Sequence, residues 1–220
     1  MKNHLLILCT LALNFSTNAE GILNHPPKDL KTNEHYVFYS HGLIVEGKNQ
    51  TPKHDRFGVY DFPAIKNALS DPKYSLIAYH RPLKTDPVNY ANLLSKQITT
   101  LLNQGVPAKN ITLVGFSRGG FITALVSSTL ANKELNYAIM AACTSRLAKN
   151  EEVVIYGSLL SIYETSDGVG SCNNVVKRNP ETIKSYKEIS ISTGKEHGAF
   201  YTPDSTWLIP LKIWLKRNIK

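Results

Sequence analysis

Cysteine is scarce in this 220-residue chain: there are three, and only Cys143 and Cys172 lie beyond the first twenty residues. That excludes a disulfide-framed scaffold, and no Cys/His spacing suits a metal site. Long apolar runs are lacking too. The apolar stretch at 5–13 is too short to cross a bilayer as a permanent helix. Runs of one charge sign are also missing. Lys and Arg number 25 against 17 Asp and Glu, but the surplus is scattered in singles and pairs, with no nucleic-acid motif beside it, so no nucleic acid is expected as a partner. There is no internal repeat, low-complexity tract or linker. What remains, 42% hydrophobic, is an ordinary globular chain, most simply one domain. At this size it buries roughly 70% of its unfolded surface without a staple.

The first residues read as a leader. Lys2 forms a short positive region, 5–13 an apolar core, and Thr17-Asn18-Ala19 a small-residue cleavage site. Cleavage after Ala19 leaves one domain over 20–220, exported to a periplasmic or extracellular space. Cys9 follows the bulky Leu8, which argues against lipid attachment, so no stable membrane anchor is expected. Removing the leader takes away Lys2 and no acid, which leaves 24 basic residues of the 25 against the same 17 acids.

Beyond the leader, strand patterns at 36–40, 76–79, 111–114, 137–142, 159–163 and 189–192 alternate with helical ones. Tyr90, Leu93, Leu94, Ile98, Leu101 and Leu102 form an amphipathic stripe, stopped by Gly105 and Pro107. Residues 121–130 are apolar or small nearly all round, as in a helix packed centrally on a sheet. The tail, 207–220, carries Trp207, Leu208, Leu211, Trp214 and Leu215 on one side and Lys212, Lys216 and Arg217 elsewhere. It reads as a docking helix rather than a membrane-surface one. Nearly continuous apolar strands between helices imply an α/β fold: a mostly parallel sheet of about six strands, covered on both faces. In such sheets ligands bind beyond the carboxyl ends of the strands.

At one such end stands Gly115-Phe116-Ser117-Arg118-Gly119, which fits G-x-S-x-G directly between a β-run and a helix. Pushing a nucleophile out at that seam needs a sharp turn in which side chains two residues either side of the serine would collide. The helix start also offers the Arg118 N–H to an oxyanion. The bland alternative is a serine N-cap at a tight turn. A serine needs a base, and of seven histidines only His197 follows Ser117. The order serine, carboxylate, histidine then calls for an acid after an intermediate strand. Asp167 and Glu164 both qualify. Asp167 is preferred, being deeper in its loop and followed by Gly168, although it could equally form an Asx-turn.

With His41-Gly42 after the first strand, the elbow at 115–119, the Asp167 loop and His197-Gly198, the chain resembles a small α/β-hydrolase of the esterase and lipase type, from about Tyr36 to the C-terminus. The resemblance implies a catalytic Ser117, Asp167 and His197, with Leu43 giving the second oxyanion N–H beside that of Arg118. It also implies cleavage of carboxylic esters or related acyl bonds without a cofactor, acting on a small-molecule or acyl substrate. Thioester, amide and peptide hydrolysis stay open, as does a non-catalytic binding protein on the same scaffold. Only about 16 residues separate the fourth and fifth strand patterns, too few for a lid, and the family's early antiparallel strands are missing or very short.

Cys143 and Cys172 each follow one of two successive strands, and an exported pair so placed most simply forms a disulfide bracing the Asp167 loop. His41, His80, Arg81 and Arg146, with the Arg118 side chain, are candidate cleft-lining groups for an anionic or polar substrate. Pairing of the arginines with rim acids is the equal alternative.

Overall fold

The structure, a computed structural model, describes residues 22–217 and 219; the leader and its cleavage site lie outside them. Six strands form one sheet: β1 (Tyr36–Ser40), β4 (Ser75–Ile77), β5 (Ile111–Phe116), β6 (Asn136–Met140), β7 (Gly157–Glu164) and β8 (Ile183–Ile191). Their order is β4-β1-β5-β6-β7-β8, and every neighbouring pair is parallel. The chain steps outward from β1 to β4 and returns to place β5 on the other side of β1. The switch point is therefore the β1/β5 junction, where an open parallel sheet leaves a crevice.

Alternation along the strands divides the core into two layers. Tyr36 and Phe38 of β1 and Ile111 and Leu113 of β5 pack with α2 (Pro87–Asn103) and α3 (Arg118–Leu130). Val37, Tyr39, Val114 and Phe116 face the other way, toward α1 (Phe62–Leu69) and α6 (Ser205–Lys216). The tail helix docks as expected, with Trp207, Leu211, Trp214 and Leu215 buried.

Three helices begin on a local code. Asp61, Asp86 and Asp204 are N-caps whose carboxylates accept from Ala64, Asn89 and Thr206 N–H, and Pro63 and Pro87 sit in the first turns of α1 and α2.

Several sequence-based bounds shift. The second strand is Ser75–Ile77 rather than 76–79, and the fourth is Asn136–Met140 rather than 137–142. β8 starts at Ile183, six residues before the expected 189. It is the sheet edge, so residues such as Lys184, Ser185 and Lys187 stand exposed along it and hide the strand from an apolar-run reading. A hairpin of β2 (Lys53–His54) and β3 (Gly58–Val59), antiparallel and outside the main sheet, was not expected. Between β6 and β7 there is only the short α4 (Ser145–Lys149), so among the described residues no lid is inserted there.

Candidate active site

Ser117 follows β5 at the switch point and precedes α3. Its backbone stands at φ 54°, ψ −119°, a region that costs a non-glycine residue about 1–3 kcal/mol. The glycines explain how the turn closes. A Cβ on Gly115 would lie 2.2 Å from Gly119 O, and one on Gly119 would lie 1.9 Å from Ser40 O in β1. The first clash is the one expected across the turn; the second arises because the helix start presses on the neighbouring strand. The Ser117 N–H is spent on Met140 O at 2.9 Å, which ties the elbow to β6. Ser117 stands at the N-cap position of α3, but its hydroxyl makes no capping bond there. Arg118 and Leu43 each open a helical turn, where N–H groups lack intrahelical acceptors.

Asp167 and His197 come together from loops after β7 and β8. His197 Nδ1 lies 2.6 Å from Asp167 Oδ2, a contact in which Nδ1–H donates to the carboxylate, so Nε2 is the ring nitrogen turned away from the acid. Asp167 Oδ1 meanwhile accepts the Val169 N–H at 3.2 Å, so the Asx-turn and the histidine contact coexist on one carboxylate. Gly168 is not at positive φ, and the conformational freedom expected of it is unused. Ser117 and His197 share no hydrogen bond; the ring of Phe116, next to the serine, packs on the imidazole with centroids 4.8 Å apart. The β2–β3 hairpin leans on the same loop. Arg56 pairs with Glu196 at 2.6 Å, and Phe57 stands 6.0 Å from His197.

Glu164, the other candidate acid, points elsewhere. It is buried and accepts from Thr193 N–H at 2.7 Å, Gly194 N–H at 3.0 Å and Ser166 N–H at 2.6 Å. Burial pushes its pKa up, but hydrogen bonds from the Ser166 hydroxyl, Thr193, Ser166 and Gly194 outweigh this and hold it down to about 2. It staples the acid loop to the start of the histidine loop.

Cys143 and Cys172 form a disulfide. Glu188 of β8 adds a second brace that sequence reading missed. Its carboxylate takes the Cys172 N–H at 2.8 Å, the Ser171 hydroxyl at 2.6 Å and the Tyr186 hydroxyl at 2.6 Å. An acid alternating within a weakly apolar edge strand gave no signal of this.

The expectation that His41 and Arg81 line the cleft is corrected: both are fully buried. They form a clamp beneath the Leu43 loop. His41 Nδ1–H donates to Gly42 O at 2.8 Å, and its Nε2 accepts the Arg81 N–H at 2.9 Å. The Arg81 guanidinium donates to His41 O at 2.5 Å, pairs with buried Glu46 at 3.4 Å and lies over the Tyr90 ring. Burial first, then the Arg81 charge, holds the His41 pKa well below its usual value. His80 joins the same loop through Val45 O at 2.6 Å. Of the four candidate lining residues, Arg146 alone opens onto the cleft that contains Ser117, a space of about 460 Å³ that Arg118 also lines. Leu43, half exposed, borders an adjoining groove that shares Arg118 and Pro87.

Among the described residues no group of His, Cys, Asp and Glu could hold a metal ion, and no helix is long and apolar enough to cross a membrane.

No protein-family model matches the chain, and no curated relative matches it by sequence. Solved structures do match by shape. An α/β serine hydrolase without a lid from Xanthomonas campestris has a TM-score of 0.54 at 15% identity, covering 88% of this chain and 84% of its own. SOBER1 of Arabidopsis thaliana has a TM-score of 0.54 at 14% identity, covering 84% and 98%. An arylesterase has a TM-score of 0.59 at 14% identity, covering 84% and 76%. At these identities the likeness is one of fold, and it agrees with the strand order and the short β6–β7 connection: the chain has the α/β-hydrolase fold in a small form without a lid.

Proposed function

We propose that the protein is a serine hydrolase of carboxylic esters, using Ser117, His197 and Asp167. The observation that carries the reading is Ser117 itself, strained at φ 54° on the switch point with a hydroxyl that caps nothing. His197 Nε2 takes the Ser117 proton as Oγ attacks the ester carbonyl, and the N–H groups of Leu43 and Arg118 receive the oxyanion. Collapse breaks the C–O bond, and the alcohol leaves with the proton held by His197. Water then attacks the acyl-serine and gives its proton to His197. The acid departs as that proton returns to Ser117. Asp167 holds the imidazole tautomer and stabilises its cation without taking the proton. The serine–histidine hydrogen bond is one that forms when substrate is bound.

The structural neighbours described as a serine hydrolase and an arylesterase support this reading, as does the open cleft, which suits a small-molecule substrate. The disulfide fits an oxidising compartment and so supports export. A fluorophosphonate probe is expected to label the protein, and Ser117→Ala to abolish labelling. Labelling that survives the substitution refutes the assignment. An unlabelled, folded wild type that turns over no 4-nitrophenyl ester would instead favour a binding protein on a hydrolase scaffold.

A further inference from the structure

The cleft beside Ser117 is mixed in its chemistry. Phe121, Ala142, Leu147 and Val169 line it with carbon, Thr144 and Asn150 add neutral polar groups, and no Asp or Glu lines it. Its charges are the guanidinium groups of Arg118 and Arg146. Arg118 is partly answered, with Nε 3.9 Å from Glu46 and Nη1 donating to Thr85 O at 3.4 Å. That one carboxylate also serves Arg81, so two cations share a single anion. Arg146 is answered by nothing: it is exposed, and no described residue pairs with it. The rim ion pair that the sequence left as the equal alternative is not made by Arg146 among the described residues.

Nor is Arg146 on a loose loop. It sits in α4, whose Thr144 cap accepts the Leu147 N–H at 3.2 Å. The Cys143–Cys172 bridge fixes the chain just before that helix. An unpaired arginine lining the same cleft as apolar side chains suits a ligand with a hydrocarbon segment ending in an anion, since guanidinium binds carboxylates through paired charge-assisted bonds. Resting on the reading of Ser117 as the nucleophile, we propose that the substrate is an ester bearing a carboxylate a few carbons from the scissile carbonyl, with Arg146 as its anchor.

The test compares two six-carbon acyl esters, mono-(4-nitrophenyl) adipate and 4-nitrophenyl hexanoate. The adipate is expected to have kcat/KM about tenfold higher or more, an advantage that shrinks as salt rises. Arg146→Gln should bring the ratio of the two esters close to one, and Arg146→Lys should keep part of it. A ratio near or below one in the wild type overturns the inference, as does a ratio that Arg146→Gln does not move. Fluorophosphonate labelling separates the two levels. Labelled enzyme that prefers hexanoate, or hydrolyses neither ester, overturns only the anionic-substrate inference. Absence of both labelling and turnover overturns the serine-hydrolase reading and this inference together.

Discussion

The two walls beside Ser117 are held by opposite means. The loop after β1, which carries Leu43, rests on a buried polar clamp of His41, Arg81 and Glu46 with no covalent tie. Atoms are left over in it: Glu46 Oε2 and Arg81 Nη1 are buried without partners. The loop after β7, which carries Asp167, is strapped by a disulfide and by two carboxylates, Glu164 and Glu188, that are richly hydrogen-bonded. A buried ion pair contributes little net stability but is costly to break from one side. A disulfide acts mainly by restricting the unfolded chain. The first wall should therefore fail by loss of one partner or of charge balance, and the second by reduction.

The largest contrast lies within the second wall, between acids three residues apart. Asp167→Asn should lower kcat by about 10³–10⁴-fold with the fold intact, because the imidazole loses its oriented tautomer. Glu164→Gln should act instead on stability, by about 2 kcal/mol, since buried N–H groups lose a charged acceptor. Turnover and urea midpoints of both variants check this, and a greater kcat loss in the second would transfer the role of triad acid to Glu164. In the first wall, Arg81→Met leaves Glu46 buried with only the distant Arg118 for a partner. The expected cost is about 3–5 kcal/mol. A fall in kcat larger than any rise in KM should accompany it as the Leu43 N–H loses its support, and Arg81→Lys should recover part of both. A neutral effect would show that the clamp does not hold the loop.

Much of this contrast could be read from residue order, and the rest could not, for physical reasons. Strand–helix alternation set the architecture, and G-x-S-x-G located the turn, because the glycines are demanded by backbone contacts that any sequence making this turn must respect. His197 stood out by being the one histidine after the serine. The roles of His41 and Arg81 were missed because polarity suggests exposure, and only the tertiary fold shows a cation gripped by carbonyls 40 residues away. Glu164 and Asp167 were near-equivalent on paper. What separates them is where the chain from β8 delivers Thr193 and Gly194, a long-range fact with no local pattern. The early part of β8 was hidden by its exposure at the sheet edge.

Reduction tests the covalent strap directly. Closing a loop of 29 residues between Cys143 and Cys172 contributes roughly 3–4 kcal/mol in the chain-entropy model. Cys143→Ser with Cys172→Ser, or wild type in dithiothreitol, should lower the urea-derived stability by that order. Glu188 still holds the Cys172 N–H, so activity in the absence of denaturant should fall less than in Arg81→Met. Activity lost at full stability would mean that the bridge positions Asp167 and does little for the fold. A free-thiol count of two on unfolded, unreduced protein that lacks residues 1–19, and with them Cys9, would remove the bridge altogether.

The smallest effects separate the walls by pH. Burial and then the Arg81 charge hold the His41 pKa well below the 6.5 usual for histidine. The unfolded chain therefore takes up that proton first, and stability present above pH 6.5 is lost as pH falls below it. Glu164 is held down to about 2 from 4.5. The sign is the same, but its loss begins below pH 4.5 and runs toward 2. Each proton taken up only on unfolding gives a slope of about 1.4 kcal/mol per pH unit. His35 is shifted in the same direction as His41, and Asp71, Glu188 and Asp204 in the same direction as Glu164, so variants isolate each contribution. His41→Gln should flatten the stability profile just below pH 6.5 and leave the acid limb unchanged. Glu164→Gln should leave that region unchanged and make the acid limb below pH 4.5 less steep. Acid thus draws first on the His41 contribution to stability, and the Glu164 contribution is kept through about two further pH units. Profiles that change in the same window for both variants would mean that the two walls respond to acid as one unit.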